Sequence, residues 1–189
     1  FNKAISLSPN YAQAYNNAGI AYRQKGDSNL AAKNIKKAIS LNPNYAEAYN
    51  NLATIIQDQG EVNQAIQYFN KALILNPSYS EAHYNLGLAF SELNEFDSAI
   101  QSYKKALNLK PNYPEVYNNL AIIISQQGKT LEAIKFFNKA ILLKPDYSEA
   151  YFNVGVVFKK ENRLKEALDS YQKAIKINSN YVECFYNIG

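Results

Sequence analysis

Apolar residues recur along this chain at helical spacing. The stretch 62–76 places Ala65, Phe69, Ala72 and Leu75 on one side of a helix, an i, i+4, i+7 stripe with polar residues between. Such stretches end at prolines, and Pro9, Pro43, Pro77, Pro111 and Pro145 stand 34 residues apart, with Ser179 in the next place. After each of these lies a second helical stretch of about four turns. It stops at Gly26, Gly60, Asn94, Gly128 or Asn162. Only Gly and Asn fill that slot, as a C′ residue with positive φ requires. A fixed period of this size predicts stacked helical hairpins.

Counted from three residues after the proline, the expected organisation is one array. A partial second helix covers 1–11, and full units cover 12–45, 46–79, 80–113, 114–147 and 148–181. A partial first helix covers 182–189. Nothing is inserted between units, so every loop is short. Asn10, Asn44, Ser78, Asn112, Asp146 and Asn180 follow the proline positions, and Gln13, Glu47, Glu81, Glu115, Glu149 and Glu183 come three residues later. This spacing predicts N-caps closed by a reciprocal acid or amide.

In the same register the third unit reads His83, Leu86-Gly87, Phe90, Ala99, Tyr103, Pro111. The first reads Tyr15, Ala18-Gly19, Tyr22, Ala31, Ile35, Pro43, and the fifth Tyr151, Val154-Gly155, Phe158, Ala167, Tyr171, Ser179. These positions resemble the tetratricopeptide repeat family. Ala53 and Ala121 depart from its helix-packing glycine but stay small. The resemblance implies an all-α, right-handed superhelical solenoid of antiparallel helix pairs, with first helices lining the concave face. Small residues at Ala31, Ala65, Ala99, Ala133 and Ala167, and at Ala38, Ala72, Ala106, Ala140 and Ala174, would let paired helices lie close. Tyr11, Tyr45, Tyr79, Tyr113, Tyr147 and Tyr181 would pack at the joints between units.

Solenoids present long surfaces to partners and seldom build the compact pocket that chemistry needs. The candidate binding feature is the sixth residue of every unit, which is always Asn: Asn17, Asn51, Asn85, Asn119, Asn153 and Asn187. Asn is a middling helix former and has no capping role in mid-helix, so this column is expected to be spare for a ligand. A primary amide carries both acceptor and donors, and a row of them can bond the backbone of an extended peptide. The ladder is similar to that of the superhelical arm of protein O-linked N-acetylglucosaminyltransferases. That likeness implies peptide binding with broad specificity. The opposing reading is that these amides bond neighbouring helices. Fifth residues, among them Tyr84 and Phe152, would shape the groove.

Composition narrows the classes further. Net charge is only +4 with both signs interspersed, not the clustered Lys and Arg of a nucleic-acid surface. Lys3, Lys37, Lys71, Lys105, Lys139 and Lys173 read as a solvated outer face. No run approaches ~20 apolar residues, so no membrane span is expected. A single Cys excludes an internal disulfide and suggests a reducing, cytoplasmic setting. The fifth residues are never Lys or Arg, which argues against a clamp for C-terminal carboxylates. The Glu column could favour basic peptides, although capping accounts for it. His83 takes a slot held elsewhere by Tyr or Phe, and Cys184 one held by Ala, so both read as packing residues. They lie three units apart, ~25–30 Å by packed helix layers, too far for a nucleophile and base. No metal or cofactor motif is present.

The expected function is therefore a non-enzymatic module that binds protein or peptide partners. Two rivals are a substrate-docking arm of a larger enzyme, a glycosyltransferase by the ladder's likeness, and an assembly scaffold. The ends lack polar capping helices, which predicts a segment of a longer array and a route to self-association.

Overall fold

The computed structural model describes residues 10–188. Residues 1–9, with Lys3, Pro9 and most of the partial second helix expected over 1–11, lie outside them, as does Gly189. Eleven helices, and no strand, occur among the described residues. Two compact units are formed, 1–109 and 110–189.

The first unit contains α1 (Ala12–Gln24), α2 (Ser28–Leu41), α3 (Ala46–Asp58), α4 (Val62–Leu75), α5 (Ser80–Glu92) and α6 (Phe96–Leu109). The second contains α7 (Pro114–Gln126), α8 (Thr130–Leu143), α9 (Ser148–Lys160), α10 (Leu164–Ile177) and α11 (Val182–Ile188). Within each unit the helices pack first as sequential hairpins, α1 on α2 and so on. Each later hairpin then seats its first helix on the preceding second helix. The core of the first unit runs through Ile35, Leu52, Ile55, Phe69 and Leu86. That of the second includes a cluster of Ala167, Tyr171, Ala174 and Cys184. Cys184 is fully buried, in the small-residue slot its column predicts.

The hairpin turns follow the expected chemistry. Gly60 has φ of 85° and Asn94 of 58°, the left-handed conformation that Gly and Asn tolerate. A Cβ on Gly60 would meet no atom within 4 Å, so φ alone dictates that position.

The N-termini of the first helices correct an expectation. The N-cap residues are Tyr11, Tyr45, Tyr79, Tyr113 and Tyr147, and none makes a side-chain cap bond. The residue before proline organises the loop instead. Where it is Asn, its amide folds back: Asn42, Asn76 and Asn178 accept from the backbone N–H of Asn44, Ser78 and Asn180 at 3.1, 3.2 and 3.2 Å. This is an Asx turn. Where it is Lys, the ammonium covers the next tyrosine, Lys110 lying 4.1 Å from the Tyr113 ring centre and Lys144 4.8 Å from that of Tyr147, a cation–π contact. A short local turn thus satisfies the loop before the helix begins, and the first-turn carboxylates are released for other partners. Of the second helices, α2 is capped as a short acid allows, with Asp27 accepting from the Leu30 N–H at 2.9 Å.

Each hairpin is closed by a small residue on the first helix facing a bulky one sixteen positions on. A Cβ on Gly87 would fall 2.4 Å from Tyr103 Cε1, and one on Gly155 2.6 Å from Tyr171 Cε1. In the same register Ala53 precedes Phe69 and Ala121 precedes Phe137, all buried. The larger small residue thus goes with the ring that lacks a hydroxyl. Tyr103 Oη pairs with Ser91 Oγ at 3.1 Å, whereas the buried Tyr171 Oη finds no partner among the described residues.

Two outcomes follow for thermal melts. Gly87→Ala is expected to cost about 1–3 kcal/mol by overpacking, and Gly87→Ala with Tyr103→Phe, which recreates the Ala–Phe pair, less than the sum of the single changes; strict additivity would refute the pairing. Tyr103→Phe should cost about 1 kcal/mol, while Tyr171→Phe should be neutral or stabilising, since it removes a hydroxyl that has lost water without gaining a bond.

Candidate functional site

The asparagine column lies in mid-helix on the first helices, half-buried at every described position. Its neighbour in sequence explains what holds it. Asn16, Asn50 and Asn118, the fifth residues of their units, are 0–1% exposed, and a buried amide needs partners. Those partners come from the next unit. Asn51 Nδ2 donates to Asn16 Oδ1 at 3.0 Å, Asn85 Nδ2 to Asn50 Oδ1 at 3.0 Å, and Asn153 Nδ2 to Asn118 Oδ1 at 3.1 Å. Each bond spans 35 residues. The buried amide in turn donates to a carboxylate, Asn16 Nδ2 to Glu47 Oε1 at 3.0 Å and Asn118 Nδ2 to Glu149 Oε1 at 3.2 Å. Glu47 and Glu149, expected to close capping boxes, are acceptors in this relay between units.

Asn51, Asn85 and Asn153 therefore have a structural job, in line with the opposing reading that these amides bond neighbouring helices and contrary to the expectation that the column is spare. The relay forms where the preceding fifth residue is Asn. Asn187 faces a unit whose fifth residue is Phe152, and its Nδ2 donates instead to its own helix at the Glu183 carbonyl, 2.8 Å away, while its backbone carbonyl and its Oδ1 accept from Lys159 Nζ at 3.1 and 3.4 Å. Asn119 Oδ1 accepts from Asn118 Nδ2 at 3.3 Å. Asn17 is half-buried on α1. Tyr84 and Phe152 are drawn into the hairpins, Tyr84 tilted on Tyr103 with ring centres 6.1 Å apart and Phe152 on Tyr171 at 5.9 Å.

One donor of each relay asparagine is engaged, and its other groups remain. In the first unit Asn51 lines a groove of about 460 Å³ that crosses α1, α3 and the start of α5. Ile20 and Ile55 supply its apolar walls, Arg23, Glu47 and Glu81 its charges, and Tyr79 an aromatic edge. Arg23 Nε is tied to Asp58 Oδ2 at 2.7 Å, which leaves the two glutamates to set the sign of the middle of the groove. The lysine column stands elsewhere: Lys37, Lys71, Lys105 and Lys173 are exposed on second helices and Lys139 is half-buried.

No group of three or more His, Cys, Asp or Glu among the described residues stands together as a metal site, and no helix among them is long and apolar enough to cross a membrane. His83 is buried, its Nε2 donating to the Pro77 carbonyl at 3.0 Å. Burial and the nearby Lys105 hold its pKa below the ordinary histidine value, keeping the ring neutral.

Sequence comparison agrees with this architecture. A tetratricopeptide repeat profile matches residues 44–112 and 112–180, and two further profiles, described as TPR repeat and tetratricopeptide repeat, match 19–60 and 1–33. No curated protein matches the chain significantly. Among solved structures the chain is similar to MamA, at 28% identity over 91% of this chain and 94% of that one, with a TM-score of 0.73. YrrB, described as a TPR protein with an unusual peptide-binding site, superposes with a TM-score of 0.72 at 22% identity over 98% of this chain and 96% of its own. The Cut9–Hcn1 hetero-tetramer of APC/C reaches 0.88 at 21% identity, over 99% of this chain and 37% of that one. The last two likenesses speak for the fold.

Removing a relay partner should be visible in stability. Asn50→Ala or Asn85→Ala is expected to lower unfolding free energy by about 1–3 kcal/mol, because either leaves a buried amide group unpaired. The double variant should cost much less than the sum. Denaturant melts of the two single variants and the pair check this, and equal additive losses would exclude the bond.

Proposed function

This chain belongs to the tetratricopeptide repeat family, and we propose that it is a non-catalytic protein-interaction module that holds extended peptide segments along its first helices. The observation that carries the reading is the groove at Asn51, where a relay-held amide stands half-buried between aliphatic and acidic groups. Holding one N–H in a structural bond orients the amide before a ligand arrives, which lowers the ordering cost of binding. The remaining Oδ1 and second N–H suit the N–H and C=O of a peptide unit. Asn17, Asn51, Asn85, Asn119, Asn153 and Asn187 are proposed as the contact row. Tyr84 and Phe152 contribute only the ring edges that their hairpin stacking leaves over. YrrB's described peptide-binding site lends the reading a precedent within the fold.

The partner is proposed to be protein rather than nucleic acid or membrane, since the lysine column lies on second helices and carboxylates line the groove. Cys184, buried and unpaired, fits a reducing cytoplasmic setting. A role as the docking arm of a larger enzyme would use the same groove.

A display library of unstructured peptides, selected on the wild-type chain, supplies the probe. Asn51→Ala with Asn85→Ala and Asn153→Ala should weaken the selected peptides at least ten-fold, measured by calorimetry well below the melting temperature. Asn16→Ala with Asn50→Ala, which breaks the relay from its other side, should destabilise comparably yet weaken binding far less. Equal losses in both variants would show that only fold integrity matters, and failure to select any peptide would defeat the proposal.

A further inference from the structure

The first unit holds a second concavity, of about 670 Å³, bounded by α4 and α6 with α5 beneath. None of its lining residues belongs to the asparagine row. Leu73, Ile74, Leu86 and Leu109 form apolar walls, and half of the lining residues are polar, His83, Ser102 and Lys105 among them. A concavity of this size, with apolar walls and polar groups converging on it, has the character of a ligand site.

Its origin is legible by comparing units. The slots of His83 and Ser102 are filled by Tyr49 and Tyr68 one unit earlier, stacked with ring centres 6.4 Å apart. One unit later they are filled by Tyr117 and Phe136, stacked at 6.2 Å. In the fifth unit Tyr151 keeps the first ring while Ser170 replaces the second, and the space there is about 280 Å³. At His83 and Ser102 both rings are missing, and the space there is more than twice that beside Tyr151 and Ser170. Its walls are thus built on a scaffold that elsewhere encloses a pair of aromatic rings.

Two polar groups define what would fill it. His83 is 8% exposed and its Nδ1 has no partner. Because Nε2 must carry the proton donated to the Pro77 carbonyl, Nδ1 of the neutral ring is an acceptor. It is a buried acceptor awaiting a donor. At the equivalent place in the fifth unit Lys173 Nζ lies 5.8 Å from the centre of the Tyr151 ring. Lys105, its counterpart at this cavity, has an imidazole where that ring would be, so an aromatic occupant would restore the cation–π contact. We propose that this cavity receives a tyrosine side chain from a partner protein: the ring takes the place of the missing aromatic pair and the phenol O–H donates to His83 Nδ1.

The test uses the full chain and p-cresol, the tyrosine side chain itself, against toluene, which lacks the donor. The single histidine gives an unambiguous ring signal, followed by NMR with the methyls of Leu73 and Leu86. Expected results are a saturable shift of both reporters and about five-fold tighter binding of p-cresol than of toluene, the scale of one neutral hydrogen bond. Acetyl-Gly-Tyr-Gly-amide should saturate the same signals and compete with p-cresol. S102F, which supplies the ring that Phe136 supplies one unit on, should abolish binding with the melting temperature maintained. Should that variant not fold, H83Y closes the cavity with the residue found at 49, 117 and 151, read through the methyls. Absence of a saturable shift would mean a water-filled cavity and overturn the proposal. So would equal binding of toluene, or binding that survives both substitutions. Binding of p-cresol without the tripeptide would replace a partner tyrosine with free phenols.

Discussion

Close approach of the two helices in each hairpin is the constraint on which the rest depends. It exists because the eighth residue of each unit carries little or no side chain, so that a ring or a branched aliphatic sixteen residues on can lie against the helix backbone. Gly87 and Gly155 admit Tyr103 and Tyr171 at distances no Cβ would permit. Once hairpins are this tight, each can seat its first helix on the second helix of the hairpin before it within a unit. The core is then built of alanines, branched aliphatics and aromatics, with no tryptophan or methionine in the chain.

Tight stacking has a polar consequence. First helices of successive hairpins come close enough that residues facing the seam are excluded from water. An amide there must be paired, and the Asn–Asn dipeptides at 16–17, 50–51 and 118–119 solve this with one buried member and one half-buried member. The buried member is held by the next unit's asparagine and, at Asn16 and Asn118, by its glutamate. The half-buried member keeps hydrogen-bonding capacity at the surface. Structure and binding are thus two duties of one column, because a primary amide has more hydrogen-bonding groups than either duty requires.

The places where the repeat is imperfect are as informative as the repeat itself. Asx turns and lysine–tyrosine contacts are interchangeable solutions to the same loop, chosen by whether Asn or Lys precedes the proline position. A stacked aromatic pair seals the outer seam in two units, whereas His83 and Ser102 leave it open. Histidine in a tyrosine slot reads as a packing residue in sequence, and it is one, but half of its hydrogen-bonding capacity is left unused.

Period, helix pairing, hairpin turns and the small-residue columns were legible in the chain because each rests on short-range chemistry: 3.6-residue patterning, positive φ at Gly or Asn, and the size of a side chain. The duties of the polar columns were not. Local spacing alone made Glu47 and Glu149 look like caps and made Asn51, Asn85 and Asn153 look spare. Their partners stand 31 or 35 residues away, and only the stacking of one hairpin on another brings them within 3 Å or so. Short-range chemistry determined the elements and their pairing. Which amide is buried, which stays open and where a cavity remains were decided by the tertiary structure, because burial and hydrogen-bond distance are properties of the packed neighbour rather than of the residue.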